Sequence, residues 1–191
     1  MKQAAWMCLL FCVGCHSGAS TQSGGSGSSD DWITGREALQ RIVTSAKQWS
    51  PDAEVIRLYS GICKKAPREG TCNEWRAVVL SVPKKKSTGF DWRTGAVTQS
   101  EVSDYEPKDK QGAIDPGRIK ADSDSAFRVA EEHGGKPLLE RNPETEIRYA
   151  MMWDKGVGRL IWLVFYDIKG TDFSSAKLHV ATNAETGEFL Q

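Results

Sequence analysis

Leu160-Ile161-Trp162-Leu163-Val164-Phe165-Tyr166 is the centre of a strand-like run from Arg159 to Ile168. Aliphatic and aromatic side chains of this kind suit a buried strand. Trp162 sits mid-strand between apolar neighbours, which predicts core packing. The stretch Asp154-Lys155-Gly156-Val157-Gly158 just before it has turn chemistry. Glu146–Trp153 reads as a strand on the other side of that turn, and Ala176–Asn183 as a third strand. Further upstream, Asp122 or Ser123 can cap a helix that carries Ala126, Phe127 and Ala130. Gly134-Gly135 is expected to end that helix. The 121–191 region therefore reads as one helix followed by three strands.

The same order occurs earlier in the chain. Thr34-Gly35-Arg36-Glu37 is a capping box, in which hydroxyl and carboxylate satisfy backbone donors reciprocally. Leu39, Ile42, Val43 and Ala46 follow at helical spacing, Trp49 extends the stripe, and Pro51 stops it. Glu54–Tyr59 and Glu74–Val82 read as strands, with Trp75 in the core. Four correspondences run in order between the two regions. Ala38-Leu39 matches Ala126-Phe127, Trp75 matches Trp162, Ile56-Arg57 matches Ile147-Arg148, and Thr94-Gly95 matches Thr186-Gly187. Their offsets are 88, 87, 91 and 92 residues, which suggests a diverged duplication. The expected fold class is α+β, with two helix-plus-antiparallel-sheet units at 32–104 and 121–191. A polar connector at 105–120 joins them. The first unit is expected to have only a short closing strand before Trp92-Arg93-Thr94-Gly95.

The region before Trp32 is of another kind. Lys2 is followed by the apolar stretch Ala4–Val13, which reads as a secretory signal over residues 1–14. From His16 to Asp31, ten of sixteen residues are Gly or Ser. Such a segment buries too little apolar area to offset chain entropy and acts as a tether reaching roughly 20–24 Å. Lys plus Arg total 25 and Asp plus Glu total 25, so there is no basic footprint for nucleic acid.

Val13-Gly14-Cys15 resembles the lipobox of bacterial lipoproteins, with Cys12 where that pattern usually has an aliphatic residue. The resemblance implies that Cys15 is lipidated and becomes the mature N-terminus at the head of the 15–31 tether. His16 after it implies sorting to the outer membrane, with the body facing the periplasm. The alternative is cleavage after Ala19 and a secreted protein. Two cysteines remain in the body, Cys63 and Cys72, at the feet of a hairpin loop with turn chemistry between them. An exported pair in this position predicts a disulfide.

The second unit resembles a PepSY-type domain in three stretches: Ala121–Gly135, Leu160–Tyr166 and Val180–Leu190. The first unit carries the pattern faintly. The resemblance implies a binding or inhibitory role toward peptides or peptidases, with no catalysis of its own.

Catalytic patterns do not compete with this reading. His133 follows Glu131-Glu132 without an HExxH motif, and His179 lies 46 residues on, so no zinc spacing or other metal site is expected. No cofactor fingerprint is present. Glu101, Asp104, Glu106 and Asp109 alternate with Lys108 and Lys110, as in a solvated linker. Lys64-Lys65 and Lys84-Lys85-Lys86 read as edge lysines that deter sheet-to-sheet association. Trp92, between Asp91 and Arg93, is the candidate for an exposed contact, and Met151-Met152-Trp153 for an adaptable apolar surface. The expected function is a non-catalytic envelope lipoprotein that binds a peptide, a peptidase or an envelope protein, with an exposed sheet edge adding a partner strand. The alternative is a structural or assembly lipoprotein of the envelope.

Overall fold

The computed structural model describes residues 31–64, 66–106, 112–168, 170 and 172–190. The export signal, Cys15, most of the tether and part of the connector lie outside the described residues.

The chain is α+β, with its helices on one nine-stranded antiparallel sheet. Helix α1 (Gly35–Trp49) opens on the predicted capping box. The Glu37 amide donates to the Thr34 hydroxyl, and the Thr34 amide donates to the Glu37 carboxylate. Ser50 then turns the chain ahead of Pro51. A four-strand meander follows: β1 (Glu54–Ser60), β2 (Glu74–Ser81), β3 (Lys86–Arg93) and β4 (Ala96–Gln99). Strand β5 (Ser103–Asp104) is two residues long and also pairs with β3. After the connector come α2 (Ser123–Ala130), α3 (Lys136–Arg141) and a second meander. Its strands are β6 (Ile147–Asp154), β7 (Arg159–Tyr166), β8 (Leu178–Asn183) and β9 (Phe189–Leu190).

The sequence suggested two sheets, and here the structure differs. Strand β1 pairs antiparallel with β6, so the sheet is continuous in the order β4-β3-β2-β1-β6-β7-β8-β9. The reason is that β1 and β6 each have one side left over after pairing within their own meander. Unpaired backbone groups in a core need partners, and each strand supplies the other's. The order of strands outward from the β1–β6 seam is the same on both sides.

Three local expectations are also corrected. Strand β3 is eight residues long, not short, because Ser87, Thr88 and Gly89 pair in full with β2 although glycine is a poor strand former. Gly134-Gly135 marks a kink rather than an end. Gly134 takes φ 112°, and the helix resumes as α3. Part of the connector is built into the body. Ile114 and Ile119 are buried, and the Ile114 amide donates to the Val55 carbonyl at 2.7 Å.

Helices α1 and α2 pack on one face of the sheet over a single core. That core joins Leu39 and Ile42 of α1 and Ala126 and Ala130 of α2 to Trp75, Trp92, Trp162 and Tyr166 of the strands. The other face carries a smaller apolar cluster, Ala150, Phe165 and Ile168, which Phe173 partly covers.

Candidate functional site

The two helix N-termini meet at the seam. The Asp122 carboxylate accepts from its neighbour Ser123 at 2.7 Å and from the Arg36 amide across the seam at 2.9 Å. The Ser123 hydroxyl accepts from the Gly35 amide at 2.9 Å and donates to the Gly70 carbonyl at 2.7 Å. Two free helix ends are thereby satisfied by one Asp-Ser pair. Beneath them the Trp75 indole donates to the Ile33 carbonyl at 3.1 Å, and the Trp162 indole to the Ala121 carbonyl at 3.0 Å. The two rings meet edge to face, 6.2 Å apart. Gly35 lies directly against them, since a Cβ there would be 2.2 Å from Trp162 Cη2.

The loop between β1 and β2 arches from this seam over the start of β6. The predicted Cys63–Cys72 disulfide closes it, with the Cα atoms 5.1 Å apart and both residues buried. Each foot is tied down by backbone. The Cys63 amide donates to Ile147 at 2.9 Å, and Cys72 exchanges both backbone bonds with Ile33. At the far end of the loop, Gly70 takes φ 69° and presses against α2, where a Cβ would lie 2.2 Å from Asp124 Cα.

Under this arch lies a cleft of about 260 Å³. The loop forms one wall with Cys63, Ala66, Arg68 and Glu69. Phe127 of α2 and Leu139 of α3 form the second, and Ile147 and Tyr149 of β6 the floor. The kink at Gly134-Gly135 sets the second wall, because it turns α3 out of line with α2. Gly135 has room for no side chain there, its Cβ position being 2.2 Å from the Tyr166 hydroxyl.

Ionisable groups gather beside the floor. The Tyr166 hydroxyl donates to the Glu131 carboxylate at 3.0 Å. Burial raises the Glu131 pKa, the Tyr166 bond opposes that, and the negative charge of Glu69 adds to the rise. Burial holds Tyr149 and Tyr166 protonated, with the Glu131 charge adding to the effect in both. These phenols therefore act as neutral hydrogen-bond donors or acceptors.

The sequence candidates for contact disperse. Trp92 is fully buried on the helix-facing side, with the Arg41 guanidinium 5.7 Å from its ring, so it offers no exposed contact. Met151 is buried in the same core. Met152 points to the opposite face, toward the Ala150 and Phe165 cluster. Trp153 is half-buried beneath Arg118. Strand alternation splits Met151-Met152-Trp153 between two faces, so the three do not make one surface. His133 stacks on Phe189 at 3.6 Å, while His179 faces Phe165. Among the described residues no cluster of three or more His, Cys, Asp or Glu is placed to hold a metal.

The basic clusters are engaged locally. Lys64 pairs with Glu146 at 3.0 Å, Lys84 lies over the Trp49 ring, and Lys86 pairs with Asp104 across β3 and β5. The sequence missed Phe127, Leu139 and Tyr149 as a group. Each reads as an ordinary core position, and only the arch over them leaves space. Compared with protein-family models, with curated proteins and with solved structures, the chain matches none. The class defined by fold and site is thus a helix-on-sheet body with a disulfide-arched cleft.

Proposed function

We propose that the chain is a non-catalytic lipoprotein of a bacterial envelope that binds peptide segments and modulates a peptidase or an envelope partner. In this reading Cys15 carries lipid in the outer membrane, and the Gly/Ser tether holds the body in the periplasm. A disulfide suits that oxidising compartment. The body is read as two PepSY-like units, fused at the β1–β6 seam. The mirrored strand order and the paired indole bonds of Trp75 and Trp162 support this.

The observation that carries the binding role is the cleft under the Cys63–Cys72 arch, with apolar walls and few polar groups, as ligand sites have. The strand-addition mode expected from the sequence has less support. The edge strands β4, β5 and β9 are four, two and two residues long, and short edges deter added strands. Those short edges also favour the second reading, a structural or assembly lipoprotein. A peptide array probed with the wild-type protein and with Leu139→Arg, which fills the cleft, separates the two. Sequence-selective binding that Leu139→Arg abolishes is expected. Absence of binding, or binding that Leu139→Arg leaves intact, rejects the cleft as the site.

A further inference from the structure

The cleft is apolar along its walls but negative at one corner. Glu69 lines it directly. Glu131 lies one helical turn beyond Phe127 on the same face of α2. Both carboxylates act on the Tyr149 hydroxyl, and Glu69 acts on Glu131, so their fields converge beside the floor. Glu131 receives a hydrogen bond from the neutral Tyr166 phenol and has no ion pair among the described residues.

Most described cations of the neighbourhood are engaged elsewhere, and Glu131 is paired with none of them. Arg68 lines the cleft beside Glu69, but its guanidinium donates to the Trp32 carbonyl at 2.6 Å; Arg141 donates to the Pro137 carbonyl at 3.0 Å. Lys64 is held by Glu146. Arg128 reaches Glu69 only at 3.8 Å, from the exposed side, while bonding Asp124 at 3.3 Å. Lys136 attracts Glu131 without pairing with it. A partly buried carboxylate without a cation is costly to keep charged. A ligand that brings the cation relieves that cost.

The size of the cleft narrows the ligand. At about 260 Å³ it is below the roughly 300–1,000 Å³ typical of small-molecule pockets. That suits one long side chain rather than a whole compact ligand. A basic side chain lays its methylene stem along apolar surface and presents its charge at the tip. Phe127 and Tyr149 put two aromatic rings in the lining, a side-chain type that favours cations.

We infer that the cleft receives one lysine or arginine side chain of a bound peptide, its stem against Phe127, Leu139 and Ile147 and its charge toward Glu69 and Glu131. The inference rests on the peptide-binding reading and specifies what that site selects.

The test uses a fluorescein-labelled peptide with a Leu-Lys-Leu core and its twin with norleucine in place of lysine. Binding to the full chain in detergent is followed by anisotropy. The lysine peptide is expected to bind about tenfold more tightly than the twin. Its affinity should fall between about 50 and about 500 mM salt while that of the twin holds. Glu131→Gln and Glu69→Gln should each erase most of the difference, with the twin's affinity unchanged. That unchanged affinity serves as the control that the variants fold. Equal binding of both peptides overturns the basic-side-chain inference and leaves peptide binding standing. Failure of both peptides to bind overturns the inference together with the reading beneath it.

Discussion

Trp75, Trp92 and Trp162 are all buried on the helix-facing side of the sheet, but their indole N–H groups fare differently. Trp75 and Trp162 donate to the carbonyls of Ile33 and Ala121, each just ahead of a helix. The Trp92 N–H has no acceptor among the described residues. The Ile33 carbonyl also accepts from Cys72, so it is loss of the Trp162 bond that strands a carbonyl, that of Ala121, whereas removing an unsatisfied donor removes a standing penalty. Trp162→Phe should therefore cost about 2–3 kcal/mol, combining lost ring volume with an orphaned acceptor. Trp92→Phe should cost about 1 kcal/mol or less, because its cavity is offset by the missing donor. Urea unfolding of the two variants checks this, and equal losses would show that the indole bonds carry no weight. The burial of Trp92 was open to a sequence reading. Asp91 and Arg93 flank it, and in a strand flanking residues point the other way. Their charge says nothing against burial of the residue between them.

At the scale of elements, what was legible in the sequence was local chemistry. The Thr34–Glu37 capping box, the stop at Pro51 and the cysteine staple each depend on a few adjacent residues, and each is found in place. What was not legible depended on distant contacts. Strand β3 is polar at Ser87 and Thr88, and long-range pairing with β2 and β5 completes it there. Next to the kink, the requirement for glycine at Gly135 comes from Tyr166, 31 residues later, whose hydroxyl leaves no room for a side chain. The cleft was hidden for the same reason, since its walls come from a loop, two helices and a strand. The loop wall depends on the disulfide. Replacing Cys63 and Cys72 together by Ser should lower stability by about 2.7 kcal/mol, the chain-entropy value for a ten-residue loop. Peptide affinity should fall more steeply than stability, because the arch that carries Ala66 and Glu69 loses its foot. Denaturant unfolding and peptide anisotropy on the same variant measure both. Unchanged peptide affinity would mean that the arch is not part of the site.

Across the whole molecule, the sequence pattern of two repeated regions invites the idea of two independent bodies, and the seam argues against it. Strands β1 and β6 exchange backbone bonds over the register Arg57–Met152, Leu58–Met151 and Tyr59–Ala150. Each helix start is capped or buttressed from across the seam, through Asp122 to Arg36 and through Ser123 to Gly35 and Gly70. The Trp75 and Trp162 rings pack on each other, and one core cluster contains residues of both halves. A chain of roughly 75 residues is already near the size at which a single core becomes marginal. Splitting the protein in the connector would expose the seam edge of the sheet, uncap a helix and uncover a tryptophan in each piece. The separate fragments 32–106 and 112–191 should therefore show little sheet by far-UV circular dichroism. The intact body should unfold in one step, with tryptophan fluorescence and far-UV signals superimposed across the urea transition. Two resolved transitions, or a fragment with native-like signal of its own, would show instead that the halves are autonomous units that merely share an edge.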